Sequence, residues 1–143
     1  MIYGFLFHFF TLSIFQSISE HMFVFNEQFF PKYDTPHGIA NVILLPAVME
    51  YNADATGTKY KDIAAAMGVK GTEDMSQEEY RKAAVDAVRK LAEDVGIPKD
   101  LKGIVKEEDI PFLAESAYAD ACRPGNPKGT SVEDITELFQ SLI

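Results

Sequence analysis

The chain has 143 residues, 47% of them hydrophobic, and 22 acidic against 13 basic side chains give it a formal net charge of −9. That length suits one domain with enough apolar side chains for a core, and the acidic balance, with no basic cluster to offset it, excludes a nucleic-acid-binding role because it repels phosphate. A single cysteine, Cys122, excludes an internal disulfide and fits a reducing, cytoplasmic setting.

The first stretch is compositionally foreign to the rest. Nine of the 11 Phe residues precede Pro31, and no Lys or Arg occurs before Lys32. Residues 1 to 19 carry no formal charge, which invites a membrane or targeting reading. Against it, Met1 to Phe15 is shorter than the roughly 20 apolar residues that cross a bilayer. Thr11, Ser13, Gln16 and Ser17 dilute the stretch, and it lacks the positive start and small-residue cleavage site of a secretory signal. Residues 1–31 are expected to be an aromatic-rich segment separate from 32–143.

Beyond it the periodicity is helical almost throughout. Pro36 fixes its own backbone and biases Thr35 toward an extended conformation, so a helix is expected to begin at or just after His37. The run from Ile39 to Met49 is apolar on most faces and reads as the central helix, with Pro46 expected to kink or restart it. A second helix is expected over about Thr58 to Met67, with Tyr60, Ile63, Ala64 and Met67 on one stripe and Gly68 at its end. Ser76-Gln77-Glu78-Glu79 is a capping box that opens a long amphipathic helix. Its stripe is Tyr80, Ala83, Ala84, Ala87, Val88, Leu91 and Val95, stopped by Gly96 and Pro98. Glu107-Glu108-Asp109 leads into a fourth helix with Ile110, Leu113, Ala114, Ala117 and Ala121 inward. After the turn-rich Arg123-Pro124-Gly125-Asn126-Pro127, Thr130 or Ser131 caps a last helix that buries Ile135, Leu138, Phe139 and Leu142. No alternating strand pattern of useful length follows Pro31, so the fold class is all-α.

Tyr33-Asp34-Thr35-Pro36-His37-Gly38, running into Ile39-Ala40-Asn41-Val42-Ile43-Leu44-Leu45-Pro46, is the most informative motif. The free amides and positive dipole end of a helix disfavour an imidazolium, so a histidine at that helix start is held neutral, the form that binds a metal or donates to a substrate oxygen. On the residues alone, a structural or surface histidine and a ligand both remain open.

From Tyr33 to the end, the chain resembles the C-terminal helical domain of the iron-dependent alcohol dehydrogenases, the lactaldehyde reductases among them. The supporting stretches are Tyr51-Asn52-Ala53, Lys59 to Ala64, Asp94 to Pro98, Lys106 to Pro111 and Asp120 to Pro127. The resemblance implies a helical bundle of the dehydroquinate-synthase-like fold, and it makes His37 one of four protein ligands to a catalytic Fe(II) or Zn ion. The family's other ligands are an aspartate and a histidine four apart on an upstream helix, and a histidine fourteen residues before the motif. They have no counterpart here: the last of those positions holds Phe23, and nearby His21 lacks the family's surroundings. The resemblance also implies NAD bound by an α/β domain that this sequence lacks, a small alcohol or aldehyde as substrate, and Cys122 beside the cofactor and substrate cleft. Taken without the family, Cys122 is a small buried hydrophobe at a helix end, Asn126 a turn residue, Asp34 a turn acid and His8 a residue without a role.

One imidazole grips a catalytic metal too weakly, since such sites use about three protein groups. The expectation is therefore a truncated dehydrogenase piece, inactive alone, whose first 30 or so residues are unrelated sequence. The alternatives are half of a split enzyme with a separate α/β partner chain, which predicts an exposed apolar face between Ile39 and Met49, and a non-enzymatic helical module held at a membrane by its aromatic N-terminus.

Overall fold

A computed structural model describes residues 37–120 and 123–143; the expectations for the aromatic segment, His8, His21, Asp34 and Cys122 lie outside the described residues. Five α-helices follow one another: α1 (His37–Asn52), α2 (Lys59–Ala66), α3 (Gln77–Asp94), α4 (Ile110–Ala119) and α5 (Val132–Gln140). Short 3₁₀ turns cover Ala53–Ala55, Glu107–Asp109 and Arg123–Gly125. The described residues contain no strand, and none of their helices is long and apolar enough to cross a membrane.

The helix ends follow from local chemistry. Ser76 Oγ accepts from the Glu79 amide at 3.3 Å while the Glu79 carboxylate accepts from the Ser76 amide at 2.7 Å, closing the expected box at the head of α3. The last helix uses the same device. Of the two candidate caps Ser131 is the one used, its Oγ accepting from the Asp134 amide at 3.1 Å and its own amide donating to Asp134 at 2.8 Å. α2 and α3 both end in Schellman turns: Gly68 and Gly96 take φ of 87° and 77°, and the amides of Val69 and Ile97 reach back to Ala64 and Ala92 at 3.0 Å. A side chain at either glycine would strain that left-handed backbone.

Packing joins α1 to α3, α2 to α3 and α4 to α5. Leu44, Val85, Leu101, Ile110, Leu113, Ile135 and Phe139 are the bulkiest fully buried side chains. Leu101 and Val105 belong to a loop without regular structure, tied down by the Leu101 amide bonding the Leu142 carbonyl at 2.7 Å. α1 runs through Pro46 unbroken, rather than restarting there. A neighbourhood in which Ile43 to Met49 are all buried holds the helix together where proline removes one ladder bond.

Two expectations need correction. The stripe assigned to α3 is buried only in its first half: Tyr80 and Ala84 are in the core together with Val85, whereas Leu91 is 48% and Val95 64% exposed. The helix outruns the neighbours that cover it. α4 ends at Ala119, where Asp120 turns extended (φ −67°, ψ 139°); the expectation for Ala121 lies outside the described residues.

Candidate functional site

The two ends of α1 differ. At the C-terminal end, orphan carbonyls and a buried amide must find partners, because the last turn of a helix leaves them unbonded. Tyr60 Oη donates to the Met49 carbonyl at 2.8 Å, and Lys128 Nζ donates to the Tyr51 carbonyl at 3.3 Å. Asn52, only 5% exposed, donates from Nδ2 to Asn126 Oδ1 at 2.7 Å. Asn126 returns a bond to Asn52 Oδ1 at 3.0 Å and gives another to the Lys128 carbonyl at 2.6 Å. Tyr51 Oη closes the set by donating to the Gly129 carbonyl at 2.8 Å. Lys128 also pairs with Asp54 at 3.0 Å and lies 4.6 Å over the Tyr51 ring.

The electrostatics match this geometry. The hydrogen bond and charge from Lys128 hold Asp54 below the ordinary carboxylate range. Burial first, then Asp134, raises the Tyr51 phenol, and burial pushes the Tyr60 phenol up to about 12. Asn126 is thus more than a turn residue: it is half of a reciprocal amide pair that binds the loop after α4 to the end of α1. The sequence gives no warning of it, since Asn52 lies 74 residues away and no periodicity links the two.

At the other end stands His37, the first residue of α1. One turn later comes Asn41, the only polar residue between Gly38 and Glu50. Its Oδ1 is closed to solvent and receives no hydrogen bond. Asparagine is itself a poor helix former, and Asn41 is half-buried. Residues at i and i+4 share a helix face, so His37 and Asn41 occupy one side of α1. The Asn52 end lies about 22 Å further along the axis at 1.5 Å per residue.

Among the described residues no three His, Cys, Asp or Glu side chains gather closely enough to hold a metal ion. The exposed apolar face expected between Ile39 and Met49 is not found either; Ile39 and Val42 are half-buried and Ile43 to Met49 buried. Among the described residues the large exposed apolar side chains are Leu91, Val95, Phe112 and Tyr118. A cleft of about 640 Å³ does open between α1, α3 and the chain end, lined by Val42, Pro46, Ala92, Ile97 and Leu142.

This all-helical arrangement is shared with known enzymes. A family model described as "Fe-containing alcohol dehydrogenase family, C-terminal" matches residues 15–143, starting upstream of the motif around His37. Lactaldehyde reductase of Escherichia coli (strain K12) is 58% identical over 110 residues, which are 76% of this chain and 28% of that enzyme. The 1,3-propanediol dehydrogenase of Citrobacter freundii is 40% identical over 109 residues, again 76% and 28%. Among solved structures, a 1,3-propanediol oxidoreductase superposes with a TM-score of 0.78 at 35% identity, covering 87% of this chain and 32% of that one. An alcohol dehydrogenase from Oenococcus oeni gives 0.79 at 34%, with the same coverage.

The chain belongs to the iron-containing alcohol dehydrogenase family. Within it, the sequence corresponds to the C-terminal helical domain of lactaldehyde reductase-like members. It spans about 30% of the length of the relatives it matches.

Proposed function

We propose that this chain supplies the helical, ligand-bearing part of a nicotinamide-dependent alcohol dehydrogenase, acts in the cytoplasm, and does not turn over alcohols or aldehydes by itself. The observation that carries this reading is the share of the enzyme present. The 58% identity to a lactaldehyde reductase reaches over only 28% of that enzyme, and the family resemblance makes His37 the one ligand of that set with a counterpart in this sequence. His37 would hold the ion from the first turn of α1, and the remaining donors and the nucleotide site would come from the part of the enzyme that precedes this domain. When bound there, Fe(II) or Zn supplies Lewis-acid polarisation of an alcohol or carbonyl oxygen, and NAD carries the hydride.

The chain's own contribution is mechanical. His37 starts a helix whose far end is held by the hydrogen bonds of Asn52, Tyr51 and Tyr60. By the same reading the substrate is a small alcohol or aldehyde of the lactaldehyde and propanediol type, and Cys122 lies near the cleft that takes it. The experiment is NAD(H)-dependent turnover of lactaldehyde and propanediol with the purified chain. No activity above background is expected. A rate abolished by chelator and by His37→Ala would overturn the reading.

A further inference from the structure

The five helices fall into two packing groups. α1 and α2 both pack on α3, α4 and α5 pack on each other, and close approach of helix backbones between the groups is slight. The stretch 97–109 joins them. It buries Leu101 and Val105 without an α-helix to carry them, and the Leu101 amide ties it to the Leu142 carbonyl at 2.7 Å. From Leu101 onward the connection therefore belongs with α4 and α5, and the pivot between the groups is 97–100, just past the Gly96 turn that ends α3.

Polar ties across the seam gather at one corner. They run from 51–54 to 126–129: the Asn52–Asn126 pair, the Tyr51 Oη bond to the Gly129 carbonyl, and Lys128 on Asp54 and on the Tyr51 carbonyl. The Lys128–Asp54 pair is largely solvated and weak, which leaves the amide pair anchored on buried Asn52 as the strongest of them. Elsewhere the seam is incompletely filled: the cleft of about 640 Å³ lies where Ser141 and Leu142 meet walls supplied by Pro46 of α1 and Ala92 of α3.

We infer that α4 and α5 detach and unravel as one unit while α1 and α3 stay folded, and that the Asn52–Asn126 pair is the latch on that step. Units that open separately coincide with supersecondary motifs, and a helix pair tied to its neighbours at one corner is such a unit. With 10 and 9 residues, α4 and α5 are too short to stay helical once they leave the seam. Detachment removes one wall of the cleft, so access to the cleft is governed by the latch.

Native-state hydrogen exchange on the full chain, followed by NMR through a series of low urea concentrations, tests this. The α4 and α5 amides are expected to share one opening, roughly tenfold or more as frequent as the opening that exposes the α1 and α3 amides. Tyr60→Phe removes a bond inside the first group, from Tyr60 Oη to the Met49 carbonyl. It should speed exchange in α1 and α3 about fivefold and leave α4 and α5 unchanged. Asn126→Ala breaks the tie between the groups, so it should speed exchange in both, about tenfold. One opening common to α1, α3, α4 and α5, the reverse order of opening, or Tyr60→Phe speeding α4 and α5 as much as α3 would overturn the inference. Unchanged exchange of α4 and α5 in Asn126→Ala would overturn it as well.

Discussion

The two ends of α1 are built on opposite principles. At Asn52 the last carbonyls and the buried amide find their partners within this chain, from Tyr60, Lys128 and Asn126. One turn into the helix, Asn41 Oδ1 is closed to solvent and accepts from no described residue. The Asn52 end is the anchor of the helix, held from α2 and from the loop after α4.

The comparison can be broken by substitution. The largest effect is expected at the anchor: Asn52→Ala leaves Asn126 with unpaired groups beside a buried position and should cost about 2–3 kcal/mol in urea unfolding. Asn126→Ala should cost nearly as much, and the double variant clearly less than the sum, since each single change already breaks the same pair. Additivity within about 0.3 kcal/mol would mean that the two amides do not act together.

Next comes Tyr60, whose phenol rises from 10.0 to about 12 on folding. A group more easily ionised when unfolded favours unfolding once it can ionise, so its contribution is fully present below pH 10.0 and is lost as pH climbs toward about 12. Alkaline unfolding curves should show stability falling across that window. Tyr60→Phe should flatten the fall while costing about 1 kcal/mol at neutral pH for the lost bond to Met49. An unchanged alkaline slope in the variant would assign the loss to other groups.

Asn41→Leu should reverse the sign, gaining about 1 kcal/mol by differential scanning calorimetry, because at this end the polar group has nothing to lose. The smallest effect belongs to Lys128→Met. Its ion pair with Asp54 is largely solvated, so a change of about 0.5 kcal/mol is expected, shrinking further at 1 M salt. A loss above about 2 kcal/mol would make the lysine, rather than the asparagine pair, the anchor.

The fold was legible where local chemistry decides it. The Ser76 capping box, both terminal glycines and most of the apolar positions of α2 and α4 can be read from spacing alone, since each depends on residues within a few positions of one another, whereas the choice of Ser131 over Thr130 needed the structure. Leu91 and Val95 mislead because periodicity reports which face of a helix is apolar, not how far its neighbours extend to cover it. Leu101 and Val105 escape notice because a buried loop has no period. Of the site, His37 stands out through Pro36 before it and the helix after it, together with the family likeness. Asn41 is visible in the sequence only as a polar interruption in an apolar run. The Asn52–Asn126 pair joins residues 74 apart and is a product of tertiary structure alone.

The account is tested most directly by elemental analysis of the purified chain after anaerobic expression with iron and zinc supplied, followed by desalting. It predicts far less than one equivalent of either metal per chain, with no change on His37→Ala. One tightly held equivalent, lost in that variant, would show that this chain completes the site without the rest of the enzyme.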